Sequence, residues 1–424
     1  MRYTNSVSEN SSSWHAWVVS AAFAVPLAFS AGSFGGKPID ITLSDVCLLV
    51  FVFIFLIKEA FNQNPNYIAS KEVIAIVSIP VFYFLILGII GGIASDSPFS
   101  NIISAIRFAK QFSFIIVGWQ IFKIYRQSII QPFLVTCILT QIILITSDFF
   151  WGKFPLGCGV ESRWGGCFLK AEVYGFPNSS ASFQVLLTGL MLAITFSLGH
   201  TKKKLFAITA LGVVLALFSL SRAAWVYAAW LALWLWISLL DGRQKLFCIL
   251  LLMPMIFALI DYIENSDISI IAGVISKLER SFSDDPSSGR FYIWIDAFEL
   301  ISAQPIFGSK FDFFSDHVGG FDTPHNQYLE IAFKSGLIGI FIYGFTIYLL
   351  WKIISSKQLK ISKPVQRFLK WGVLVGLLLN GLFQPIFSYS MVANLSMMLI
   401  GYALSATEFN SHDHKHEATS TKSR

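Results

Sequence analysis

His325 stands in Thr323-Pro324-His325-Asn326, at the start of an apolar run that follows the longest polar interval of the chain. A neutral imidazole at such a place can take a proton near physiological pH. Thr323 can cap a helix and Pro324 fits its first position. The spacing therefore predicts His325 in the first helical turn, where the macrodipole disfavours imidazolium. A general base is one reading; a capping or packing histidine at an interface is the other. Arg222 follows Ser221 at the start of another apolar run, and Arg290 follows Ser287-Ser288-Gly289 and precedes the aromatic stretch 291–301. A cation at a helix N-terminus opposes the dipole, and the conflict disappears if an anion is held there by guanidinium and backbone N–H together. Each arginine alone also reads as an interfacial anchor. Together they suggest a phosphate-bearing substrate.

The elements that must position these residues are apolar runs. The chain of 424 residues is 55% hydrophobic and 13% charged, with a mean hydropathy of +0.64. Such a composition excludes an ordinary soluble enzyme and assigns most of the exterior to lipid. Runs of about 20 apolar residues can cross the hydrocarbon as helices. They fall at 15–35, 41–58, 71–92, 101–122, 131–150, 180–199, 204–220, 222–240, 245–262, 325–351, 370–387 and 389–406. The expected fold is an all-α polytopic integral membrane protein of about twelve transmembrane helices over 1–406. Ser219-Leu220-Ser221-Arg222 offers a break between two of the runs, and Gln384-Pro385 with Ser388 between another two. The first run lacks a strong basic leader and a clear cleavage site, so it is expected to stay as a helix.

Basic residues assign the sides. Lys202-Lys203-Lys204, Arg243, Lys245 and the set Lys352, Lys357, Lys360, Lys363, Arg367 and Lys370 fall on one side of a twelve-helix arrangement, with both termini. That side is expected to be cytoplasmic. The loops 151–179 and 263–324 fall opposite, and the second is rich in acids. The net charge of +6 is then a topology signal and argues for no nucleic acid. Cys158 and Cys167 share the first external loop and could form a local disulfide there. Cys47, Cys137 and Cys248 read as small buried hydrophobes. The polar tail 407–424, with His412, His414 and His416, reads as a disordered terminus rather than a metal site. Arg107 and Lys110 lie one turn apart inside the fourth run. They either snorkel to headgroups or line a path for an anionic lipid.

Arg222, Gly289-Arg290 with Trp294, Pro305-x-Phe-Gly308, Pro324-His325-Asn326-Gln327-Tyr328-Leu329 and Gly336-x-x-Gly339 together resemble the O-antigen ligase and O-antigen polymerase superfamily. The resemblance implies a GT-C-like glycosyltransferase. The donor would be a glycan on undecaprenyl pyrophosphate, and the acceptor a sugar hydroxyl of lipid A–core. It further implies a bacterial inner-membrane location and a periplasmic site. Its functional residues fall on Arg222, Arg290 and His325, and it calls for no metal or other cofactor. A polymerase of O-antigen or exopolysaccharide is the alternative within the superfamily. A membrane transporter is a further one, but it would call for paired repeats or broken mid-span helices. The basic residues Arg107, Lys110, Arg163 and Lys170 favour the ligase. Asp322 is the nearest carboxylate for a covalent route, which ranks below direct attack.

Overall fold

The computed structural model describes residues 14–25, 28–34, 37–50, 71–95, 98–125, 127–151, 177–199, 201–218, 221–244, 290–319, 321–356 and 362–408. Helix α1, Trp14–Ala24, stops short of Pro26, whose ring disfavours helix in the residue before it. Strands β1, Ala28–Phe34, and β2, Lys37–Thr42, follow and pair antiparallel, with a register irregularity between Ser30 and Ser33. The expected span 15–35 is therefore corrected. Its first half is an 11-residue helix, about 16 Å long and too short to cross. Its second half, rich in Ser and Gly, is a β-ribbon. Residues 43–50 are helical and form α2.

Helices α3, Lys71–Ala94, α4, Pro98–Tyr125, α5, Gln127–Trp151, α6, Pro177–Ser197, α7, Lys202–Phe218, and α8, Arg222–Leu239, match predicted runs to within a few residues. After the described gap come α9, Arg290–Ala303, and α10, Gln327–Ile354. Helix α11 runs through Lys363–Arg367, a π-helical Phe368–Val375 and Gly376–Phe383. A short 3-10 turn, Ile386–Ser388, leads into α12, Ser390–Glu408. The predicted breaks before Arg222 and at Gln384-Pro385 are both present. Among the described residues four helices are long and apolar enough to cross a membrane, within α3, α4, α8 and α10. The run 245–262, the loop 151–179 but for the ends of α5 and α6, residues 263–289 and the tail from 409 lie outside the described residues.

Helix α10 is two helices. Gly336 has φ 67 and ψ −168, which no helical residue adopts, so the predicted single span 325–351 is corrected to a short half, 327–335, and a long half, 337–354. The segment between α9 and α10 crosses this break and takes up its freed backbone groups. Ser309 N–H donates to Phe333 O at 2.7 Å, Phe311 N–H to Lys334 O at 3.1 Å, and Leu337 N–H to Pro305 O at 2.8 Å. Contact is close enough to demand glycine on both sides. A Cβ on Gly308 (φ 63) would lie 2.4 Å from Phe333 O, and one on Gly336 2.1 Å from Ile306 O.

Small residues also let α4 cross α12 closely: a Cβ on Gly118 would meet Met398 O at 2.7 Å, and one on Gly401 would meet Ile115 O at 2.4 Å. Such approach supplies the van der Waals contact that holds helices together in lipid. Under the α9–α10 segment sits an aromatic group of Phe84, Phe108, Phe112, Phe311, Tyr343 and Phe387, with edge-to-face pairs at 4.7–5.9 Å such as Phe108–Phe387 and Phe84–Phe311. It ties α3, α4, α10 and the 386–388 turn into one base for the site.

Candidate functional site

Helix α11 ends at Phe383, and its last carbonyls lack intrahelical partners. Two groups from elsewhere in the chain fill them, and a third bonds a carbonyl one turn further in. Arg290 Nη1 donates to Phe383 O at 3.0 Å, Asn326 Nδ2 to Leu382 O at 3.0 Å, and Tyr328 Oη to Leu378 O at 2.7 Å. A guanidinium also suits the negative end of the helix dipole. One helix end thus gathers the start of α9 and the start of α10. Trp294 Nε1, one turn along α9, donates to Pro324 O at 3.0 Å and so fixes the peptide that carries His325.

Asn326 is the N-cap of α10. Its Oδ1 accepts from Tyr328 N–H at 2.9 Å and from Leu329 N–H at 3.1 Å. The expected cap at Thr323 is therefore corrected, because Asn caps at least as well as Thr and its amide also reaches Leu382. His325 then lies before the helix, not in its first turn. Its φ of 52 puts it in the left-handed region, which costs a non-glycine residue about 1–3 kcal/mol and persists only where surroundings enforce it. The Trp294 and Asn326 bonds on either side supply that enforcement. Its backbone N–H faces Thr323 Oγ1 at 3.4 Å, and its ring meets Phe321 edge-on, with centroids 6.3 Å apart.

Burial holds the His325 imidazole below its ordinary pKa of 6.5, the Arg290 charge lowers it further, and Asp322 opposes both. The sequence reading of a neutral imidazole survives, with burial and Arg290 replacing the helix dipole as its cause. Arg290 is itself pushed down by burial first and by the Arg222 charge second, against the influence of Tyr389. Arg222 is the first residue of α8, after Ser221 in an extended conformation. Arg290 thus lies within electrostatic reach of Arg222 on one side and of His325 on the other, at one end of the bundle. All three are partly exposed. Two half-buried cations that repel each other form a place where an anion would be held strongly.

Two residues that sequence reasoning missed brace this group. Glu330, 1% exposed, accepts from Lys334 Nζ at 2.8 Å and from Ser388 Oγ, and Gln327 Oε1 accepts from Phe387 N–H at 2.7 Å. They bind the short half of α10 to the turn after α11. The signal was present as an acid and a lysine four apart in an apolar run.

Arg107 and Lys110 fall in a different cluster. Lys110 Nζ pairs with Asp45 at 2.7 Å, and Asp45 also accepts from Asn394 Nδ2 at 3.1 Å and from Thr42 N–H at 3.0 Å. Lys110, expected either to snorkel or to line a path for an anionic lipid, is thus paired with a carboxylate inside the fold. Arg107 lies one turn away on the same helix. Cys47 and Cys137 are free thiols, and Cys137 is buried; Cys158, Cys167, Cys248, Arg163 and Lys170 lie outside the described residues.

Residues 205–344 match the family model described as O-antigen ligase. This stretch of the chain is similar to the O-antigen ligase family. The matched stretch runs from α7 into the long half of α10, and all three of Arg222, Arg290 and His325 fall within it. The O-antigen ligase match stops before Phe383, which accepts from Arg290, and Ser388, which donates to Glu330. It also excludes Arg107 and Lys110. No curated protein matches the chain.

Proposed function

We propose that this membrane protein is an O-antigen ligase of GT-C type with about twelve transmembrane helices. It moves a glycan from undecaprenyl pyrophosphate to a sugar hydroxyl of lipid A–core, at the periplasmic face of a bacterial inner membrane. The observation that carries this reading is the convergence of Arg222, Arg290 and His325 at one end of the bundle, inside the stretch matched to the O-antigen ligase family. The pyrophosphate lies between the two guanidiniums, whose planar forks suit its oxygens and offset charge as the sugar–phosphate bond breaks. Their two fixed charges do the work a divalent cation does elsewhere, so the reaction needs no metal.

His325 is the general base. The acceptor hydroxyl oxygen forms a bond to the anomeric carbon while the bond from that carbon to the phosphate oxygen breaks. The bonding pair leaves with undecaprenyl pyrophosphate, and the hydroxyl proton passes to the imidazole. Direct attack of this kind inverts the anomeric centre. The imidazole is suited to the task because burial and Arg290 keep it unprotonated at neutral pH. Asp322 tunes it and forms no covalent intermediate.

Deleting the gene separates this reading from the polymerase of the same superfamily. Loss of a ligase leaves completed polymer on undecaprenyl pyrophosphate. Loss of a polymerase leaves single lipid-linked repeats, and that result would replace the proposal.

A further inference from the structure

Helix α9 is divided into three faces. Ile293, Ala297 and Ile301 are buried and pack with Phe314, Leu329, Ala332 and Phe333. Asp296 and Glu299 are exposed on a second face. At 100° per residue, Ile295, Phe298 and Phe291 form a third, between the buried face and the acids. Ile295 is 55% and Phe298 58% exposed. A soluble surface gives no reason for such a stripe.

The depth of α9 follows from its two ends. Helix α11 and the long half of α10 run antiparallel, and Gln366 Nε2 donates to Ile354 O at 2.9 Å. From that bond, Phe383 lies 17 residues along α11 (383 − 366) and Leu337 lies 17 residues back along α10 (354 − 337). Leu337 is about 25 Å away at 1.5 Å per residue, and Phe383, whose path includes the π-helical Phe368–Val375, is somewhat nearer, so they stand at a similar level. Arg290 at the start of α9 is bonded to Phe383 O, and Pro305, just past its end, accepts from Leu337 N–H. Helix α9 is therefore strung between the ends of two neighbouring antiparallel helices, one of them long and apolar enough to cross a membrane, and lies across their axes. Past the exposed Ser302 and Gln304, apolar exposure resumes at the end of the segment. Ile306 and Phe307, both exposed, meet Gly336, and Leu337, Phe341, Phe345 and Tyr348 carry an exposed apolar face down the long half of α10.

We infer that α9 is an in-plane interfacial helix whose Ile295–Phe298 face is seated in the acyl-chain boundary of the bilayer, with Asp296 and Glu299 in water. The occupant of this face is bilayer lipid, because the face leads on to the lipid-facing side of a crossing helix. Seating α9 there sets the height of Arg290 at the level of lipid phosphates. The inference concerns the bilayer and holds whatever glycan is transferred.

The test is photo-crosslinking in the full chain, reconstituted in nanodiscs of phosphatidylethanolamine and phosphatidylglycerol. p-Benzoylphenylalanine is placed singly at positions 295, 298, 296 and 299, and at 341 as a lipid-facing control. After irradiation, intact mass reads lipid adducts. Adducts at 295 and 298 comparable to those at 341, with at least tenfold less at 296 and 299, are expected. Equal labelling of all four positions, absence of lipid adducts at 295 and 298 while 341 reacts, or capture of another part of the chain at those positions would overturn the inference.

Discussion

Asp322 is the group that works against burial and against Arg290 in setting the protonation of His325. The imidazole sits below 6.5, so the rate keeps its plateau as pH falls past that value and drops only in more acid solution. Asp322→Asn removes an attraction for the proton. It should move the acid limb of the pH profile of kcat/KM to still lower pH, with the plateau rate changed little. A limb that moves upward would contradict this electrostatic account. At the arginines, lysine keeps the charge and loses the fork. Arg290→Lys also gives up the geometry that reaches Phe383 O. Arg222→Lys and Arg290→Lys should each cut turnover by about a hundredfold to a thousandfold, the range of a lost transition-state donor, while the purified proteins stay folded. Near-normal turnover in either would remove that arginine from the site.

At the scale of elements, the site depends on a broken helix and on the strand of chain that seals the break. Gly308 and Gly336 have positive φ, and a Cβ on either would lie within 2.4 Å of backbone. Gly336→Ala should therefore lower thermal stability, the reverse of the gain of up to about 1 kcal/mol from an ordinary helix-interior exchange, since strain and a backbone clash outweigh it. Light-scattering or fluorescence melts in detergent would read this, and an unchanged melting temperature would deny the lock. Both glycines stood out in the sequence as motif positions, yet their partner could not be seen. Phe333 O and Ile306 O come from segments that meet only in the fold. The same holds for His325. The sequence suggested a neutral imidazole from an expected place in the first helical turn, whereas burial and Arg290 lower it, and the Asn326 cap and the left-handed backbone depend on Leu382 and Pro324. Most helix bounds were legible because apolar runs ended at charges or turn residues. The first run misled because hydropathy alone does not tell an apolar strand from an apolar helix, and Pro26 with four nearby Ser and Gly residues decided for the ribbon.

At the scale of the whole molecule, helix directions place Arg222, Arg290 and His325 at one end, and Lys202, Arg243, Lys352, Lys363 and Arg367 at the other. In the proposed orientation this second end, which carries the positive charge, faces the cytoplasm. A small tag inserted after Ser362 should be degraded by protease only in inverted vesicles, and cleavage in intact spheroplasts would reverse the assignment. Between the two ends the bundle is braced by paired charges. Removing Lys334 leaves the Glu330 carboxylate buried and without its cation, a change that costs about 3–5 kcal/mol. Lys334→Met should unfold at clearly lower temperature than the double variant Glu330→Gln/Lys334→Met. If the single variant is the more stable of the two, the pair is not a brace.

The central claim is that one histidine and two arginines at this end carry out a metal-free inverting transfer. It is tested most directly with purified protein, lipid-linked donor and lipid A–core in the presence of chelator. Transfer, donor binding and the anomeric configuration of the product are measured for the native chain and for His325→Ala. The account predicts transfer by the native chain with inversion, and a variant that binds donor with unchanged affinity and transfers nothing. Retained configuration, activity lost in chelator and restored by a divalent metal, or turnover by His325→Ala near that of the native chain would contradict it.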